Sequence, residues 1–364
     1  MLLLSALIFI HWLVGQFLEV IKKRLISIVI SVLTLIIVLY FTLGVRDTSD
    51  WDMYEYFYYS NWDKTDPMFL FLKEILTGYG YKFEIFFQLH ITISTLSFFY
   101  LISRYTKNIF YVFFILIVLY YVPFVNQIRY YLAFPFFLLS IHYLLTDRKL
   151  ILFFIFTALA LTSHLAVIVL YGFLPLYFFV KNESFFKYIL LITGVISVLV
   201  FILFQLGIIQ KLEHFGSYAK QDMTSSVMGG IFASLPYFIY IFYLLIIDYN
   251  YRRSNPDYTD DKMYRFLSKI SFFTIIFIPA SFFMQVLGQR YVFPFLIFWV
   301  IFFLYLIRNK TPRAKFLYFM SFGAVHLIAG FTIYILPHYL FGTSFYEEEL
   351  IRSIKSIKYL DYII

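Results

Sequence analysis

The chain has 364 residues, of which 62% are hydrophobic and only 14% charged, with no cysteine and a net charge of +8. Its mean hydropathy of +0.82 excludes an ordinary soluble domain and marks an integral membrane protein. The missing cysteines remove disulfides, thiolate metal sites and cysteine nucleophiles together. The basic residues sit in small clusters between apolar runs, which argues against nucleic acid as a partner.

A spanning helix needs roughly 20 apolar residues. By that measure the chain is an all-α polytopic membrane protein of about 12 transmembrane helices, near 2–18, 25–43, 83–102, 109–125, 130–146, 150–163, 165–180, 188–206, 230–248, 266–287, 291–307 and 316–336. The first run is expected to be a span rather than a cleaved signal, because charged residues and no small-residue cleavage site follow it. The runs make a single membrane domain over 1–364, without internal repeat. Two long loops separate them, at 44–82 and 207–229. The first carries an acidic, aromatic stretch, RDTSDWDMYEYFYY. After it, Asp66-Pro67 opens the amphipathic segment MFLFLKEIL, predicted to be an interfacial helix with proline at its first position.

Alternate loops collect most of the lysines and arginines, at 22–24, 104–107, 148–149, 181–187, 252–269 and 308–315. By the positive-inside rule those loops are cytoplasmic, so the two long loops and both chain ends are expected outside. The run 150–180 is ambiguous. One helix there would be about 46 Å long, too long for a single crossing, and one crossing would invert every later basic cluster. Two short arms are therefore expected, broken at Thr162-Ser163-His164, with Gly172 and Pro175 letting the second bend.

This topology puts Arg46, Arg129, Arg290 and His164 on one outer face. Charges at such depth need a partner, water or a ligand, and anionic substrates are the obvious candidates. Asp50 and Tyr54 share a helical face, with Arg46 one turn earlier. A carboxylate held there is suited to act as a base or to anchor a sugar hydroxyl, although a solvated loop with an incidental ion pair explains the same residues. Arg129 follows Asn126 in VPFVNQIRYYLAFP, a donor cluster suited to a pyrophosphate or sugar, or else an arginine snorkelling to headgroups. Arg290 in QVLGQRYVFPF follows the same argument, with Gly288 expected to turn the backbone tightly. His164, at the hairpin tip, is placed to donate to a phosphate oxygen or to relay a proton. Zinc, Walker-type and GxSxG patterns are absent from the sequence.

The succession RDTSDWDMY, DPMFLFLKEILTGYG, NQIRYYLAF, SHLAVIVL resembles the EpsG branch of the Wzy-type polysaccharide polymerases, in motif order and spacing, over residues 40–175. Departures are Ser49 in place of a frequent glycine, Tyr130 in place of glutamine, and Asp66 in place of a helix-initial glutamate. The resemblance implies a metal-independent membrane glycosyltransferase without cofactor. Such an enzyme works at the outer face of the bacterial inner membrane on undecaprenyl-pyrophosphate-linked oligosaccharides. It would transfer the growing chain from its lipid pyrophosphate to a sugar hydroxyl of the next unit, building O-antigen, capsule or exopolysaccharide. Arg129, Arg290 and His164 would meet the pyrophosphate and Asp50 the hydroxyl. Arg46 would hold Asp50, and Tyr54, Asp66 and Asn126 would line the substrate site. Membrane lipids and a chain-length regulator are further expected partners. A lipid-linked oligosaccharide flippase and an O-antigen ligase-like transferase are the alternatives.

Overall fold

The computed structural model describes residues 2–21, 24–60, 66–206, 227–342 and 344–357. Every regular element among them is helical. Eight helical stretches are long and apolar enough to cross a membrane: Leu25–Leu43, Phe83–Ser103, Ile128–Leu145, Asn182–Leu203, Gly229–Ser254, Lys262–Ser281, Val286–Ile307 and Pro312–Phe341. All eight fall on expected spans. Of the other four, Ser5–Ile21, Leu150–Ser163 and Leu165–Phe179 are shorter apolar helices, and 109–125 is not one helix. The loop expected over 207–229 lies outside the described residues from 207 to 226.

The chain divides into two compact units, residues 1–171 with 334–364 and residues 172–333. The first unit holds α1 (Leu2–Ile21), α2 (Arg24–Leu43), α3 (Trp51–Tyr59), α4 (Pro67–Gly78), α5 (Phe83–Ser103), α6 (Ile109–Leu119), α7 (Tyr121–Asn126), α8 (Ile128–Leu145) and α9 (Leu150–Ser163). A 3-10 helix follows from Leu165. The α8–α9 hairpin and the α5–α8 pair make its principal packing, with α1 and α2 against α6. The expected span 109–125 breaks at Tyr120 into α6 and α7. Pro123 explains the break, because it has no N–H to donate to Leu119 and disfavours the helical conformation just before it. Asn108 caps α6, accepting from the Tyr111 amide, and donates 2.7 Å to the Gly15 carbonyl. A Cβ on Gly15 would overlap the Tyr111 ring, so glycine there is what lets α1 approach α6.

The second unit holds α10 (Phe173–Phe179), α11 (Asn182–Gln205), α12 (Val227–Ser254), α13 (Lys262–Phe273), α14 (Ile278–Ser281), α15 (Gln285–Tyr291), α16 (Leu296–Ile307) and α17 (Pro312–Gly330). Here α13 packs on α16, α12 on α16 and α17, and α11 on α13. After Ile333 the chain returns to the first unit with α18 (Leu336–Phe341) and α19 (Phe345–Lys355).

Helix surfaces sort as a bilayer demands. α16 is buried almost all round, whereas α11 exposes Leu191, Val195 and Val198, and α2 exposes Leu25 and Ile36. Uncompensated apolar faces of this length are stable only against lipid or a partner surface. The chain is a multi-pass membrane protein.

Candidate functional site

The site is built in the first unit, around the loop between α2 and α5. Asp66 sits at the N-cap of α4, with Pro67 at the first helical position as expected. Aspartate at that place ordinarily accepts from the amides of its own first turn. Asp66 does not. Its Oδ2 instead accepts from Arg129 Nη1 at 3.0 Å and from His164 Nδ1 at 3.0 Å, and its Oδ1 takes the Leu165 amide at 3.4 Å. Three segments far apart in sequence thus meet on one carboxylate. The side chains of Asp66, His164 and Arg129 are 13%, 16% and 18% exposed, little enough to strengthen the charges, and His164 Nε2 is itself covered.

Local structure accounts for each position. Pro67 and the apolar run behind it start α4. His164 is the break expected in the long apolar run: it is the extended C-cap of α9, with the 3-10 helix beginning at Leu165. Arg129 lies in the first turn of α8, after Gln127 interrupts α7 from α8. A cation at a helix N-terminus is on the unfavourable end of the dipole. Asp66 offsets that, as do the rings of Tyr54, Phe57 and Phe69, whose centroids lie 5.4, 5.9 and 5.8 Å from the guanidinium carbon. The Tyr130 ring stands edge-on to His164.

Burial opposes ionisation of Asp66. Its bond and charge contact with His164, the Arg129 charge and the Leu165 amide nevertheless hold the carboxyl below the ordinary carboxylate range. Asp66 is therefore an anion at neutral pH, a poor proton acceptor and a good orienting group. With Nδ1 of His164 donating to it, Nε2 is the ring nitrogen left to exchange a proton.

The other expected residues fall into different places. Asp50 is the residue before α3, and its amide donates 2.9 Å to Asn126 Oδ1, while Asn126 Nδ2 donates 2.7 Å to Ser49 Oγ. Asn126 thus holds the loop in position. Arg46 does not hold Asp50 as expected: its Nη1 donates to the carbonyl of Leu43, at the end of α2, and to that of Val45 just beyond it. Tyr54 is buried under Arg129. Arg290 lies in the last turn of α15, in the second unit. Gly288 makes no tight turn there. It is inside α15, and a Cβ on it would crowd Tyr237 and Ser281.

The sequence reading missed the clamp on this loop. α19 contributes Glu349, which accepts 2.9 Å from the Ser49 amide, and Arg352, paired with Asp47 at 2.7 Å, while its C-cap Ser356 accepts 3.0 Å from the Arg46 amide. The helix itself is legible, since Ser344 opens it by accepting from the Glu347 amide. Its partner is not, because no spacing links residues some 300 positions apart.

Fold and site together define a multi-pass helical membrane protein that gathers an aspartate, an arginine and a histidine into one ionic cluster. A model of the EpsG family matches residues 25–347. The chain belongs to the EpsG family, which is associated with glycosyltransferase-like polysaccharide polymerases. No curated protein and no solved structure matches the chain.

Proposed function

We propose that the protein polymerises oligosaccharide repeat units carried on undecaprenyl pyrophosphate, at the outer face of the bacterial inner membrane, into O-antigen, capsular or exopolysaccharide. The observation that carries this reading is the Asp66 carboxylate shared by Arg129 and His164. An acceptor hydroxyl attacks the anomeric carbon of the growing chain and the bond to the lipid pyrophosphate breaks. The hydroxyl proton passes to His164 Nε2, which is covered in this structure and is opened to the acceptor when substrate enters, with Asp66 orienting the ring and stabilising the imidazolium. Arg129 meets the charge on the departing pyrophosphate. A guanidinium carries five N–H donors in a planar fork, so Arg129 can hold Asp66 and still donate to a phosphate. Asp50, fixed through its backbone by Asn126, anchors the acceptor sugar. Arg290 stands in the other unit as a separate candidate phosphate ligand, tested by its own substitution. The twelve-crossing topology belongs to the same proposal, with 150–163 and 165–180 as two short crossings and the 44–82 loop outside.

The test is polymer profiling in a strain deleted for the gene and complemented with wild type or with Arg129→Ala at matched abundance. Single repeat units on the carrier or terminal acceptor, with long chains restored only by wild type, support the reading. Normal chain length from Arg129→Ala overturns the assignment. Units trapped on the cytoplasmic side indicate a flippase, and long chains left on the carrier indicate a ligase.

A further inference from the structure

The second unit contains a cationic cavity that the polymerisation reading does not use. It has a volume of about 290 Å³ and lies where α10 ends, α11 begins and α13 passes, lined by Tyr177, Lys181, Asn182, Glu183, Arg265 and Lys269 among others. Lys269 is only 2% exposed. Its ammonium faces no carboxylate: it donates to the carbonyls of Tyr177 and Val180 and lies 5.2 Å from the ring centroids of Tyr177 and Phe185. Arg265 likewise bonds a carbonyl, that of Thr259 at 3.2 Å. Among the described residues neither cation has an ion-pair partner, so Glu183 alone opposes three positive charges around the cavity.

Two further observations point to a ligand. The side-chain amide of Asn182 is buried with neither its Nδ2 nor its Oδ1 hydrogen-bonded, an arrangement that costs free energy unless something binds. The adjoining rings of Phe178 and Phe179 turn outward, Phe179 at 86% exposure. The candidate spans Asn182–Leu203 and Lys262–Ser281 both begin at this level. A cationic cavity at the head of two spans, beside outward apolar rings, has the make-up of the membrane–water boundary.

We propose that this cavity binds the phosphoryl headgroup of an anionic phospholipid bearing a hydroxyl donor, of the phosphatidylglycerol type. The phosphodiester oxygens accept from Arg265, Lys181 and Asn182 Nδ2, a headgroup hydroxyl donates to Asn182 Oδ1, and the acyl chains lie along Phe178 and Phe179. A choline headgroup offers Asn182 no donor and brings a further cation to a site that already holds three.

The full-length protein in a neutral detergent tests this by thermal melting and native mass spectrometry. The probes are phosphatidylglycerol, phosphatidylcholine and inorganic phosphate. Phosphatidylglycerol is expected to raise Tm and to remain as a bound adduct, with the other two far weaker. Arg265→Gln and Lys181→Gln replace exposed side chains, so both variants should melt near wild type without lipid. Together they should weaken phosphatidylglycerol binding about tenfold, the loss expected when charge-assisted bonds go. Arg265→Lys, which keeps the charge, should retain most of the shift. An unchanged phosphatidylglycerol shift in the double variant overturns the site, and an equal shift with phosphatidylcholine overturns headgroup recognition. Saturation by inorganic phosphate alone overturns the lipid assignment in favour of a free anion.

Discussion

Asp66 shows how a residue's environment can reveal more than its motif. Its capping position is legible in Asp-Pro before an apolar run, but the desertion of that cap for Arg129 and His164 is a tertiary event. Because the folded carboxyl ionises more readily than the free one, the cluster's contribution to stability is complete above the ordinary carboxylate range. It is lost as pH falls through the lowered folded value. Melting curves over a pH series should therefore show Asp66→Asn less stable than wild type at neutral pH, with the gap closing in acid. At neutral pH the loss should be about 3–5 kcal/mol, the usual consequence of removing one partner from a buried pair. A gap that stays constant with pH would show that Asp66 is not ionised in the folded protein. Arg129→Lys should recover little polymer, since one ammonium cannot hold Asp66 and a phosphate while lying against three aromatic faces. Substantial polymer from it would argue for charge alone.

Elements position these side chains through contacts that sequence spacing does not announce. Helices α4, α8 and α9 can be read from their apolar runs, from Pro67 and from the break at His164. The roles of Tyr54, Asn126 and Arg46 could not, because each depends on which loop its helix meets. Tyr54 supports Arg129, and Asn126 ties Ser49 and Asp50 to α7. α19 closes the same loop from the far end of the chain. Glu349→Ala leaves the Ser49 amide without its acceptor and should cost about 1–3 kcal/mol, seen as a lower Tm and faster proteolysis within 44–50. Unchanged loop protection would mean that Arg352 and Ser356 suffice. Gly15→Ala forces α1 away from Tyr111, and its predicted effect is reduced abundance with repeat-unit chemistry intact per molecule.

For the whole molecule, composition was enough to establish a multi-pass membrane protein, and eight of the expected spans are present as long apolar helices. The remainder was ambiguous for a physical reason. Apolar periodicity does not distinguish a crossing from a buried core segment, as α6 shows by being interior rather than lipid-facing. Nor does hydropathy register the division into two units, whose boundary falls between Tyr171 and Gly172, within one apolar run. The cysteine-free chain makes orientation directly measurable. Tyr56→Cys should react with an impermeant thiol reagent on intact spheroplasts, and Lys310→Cys only after permeabilisation; the reverse pattern would invert the topology. The account's central claim is that Asp66, Arg129 and His164 form the reaction centre. Its most direct test is the polymer profile of a deletion strain carrying Asp66→Asn at wild-type abundance. Single repeat units with no long chains are predicted, and chains of normal length distribution would contradict the claim.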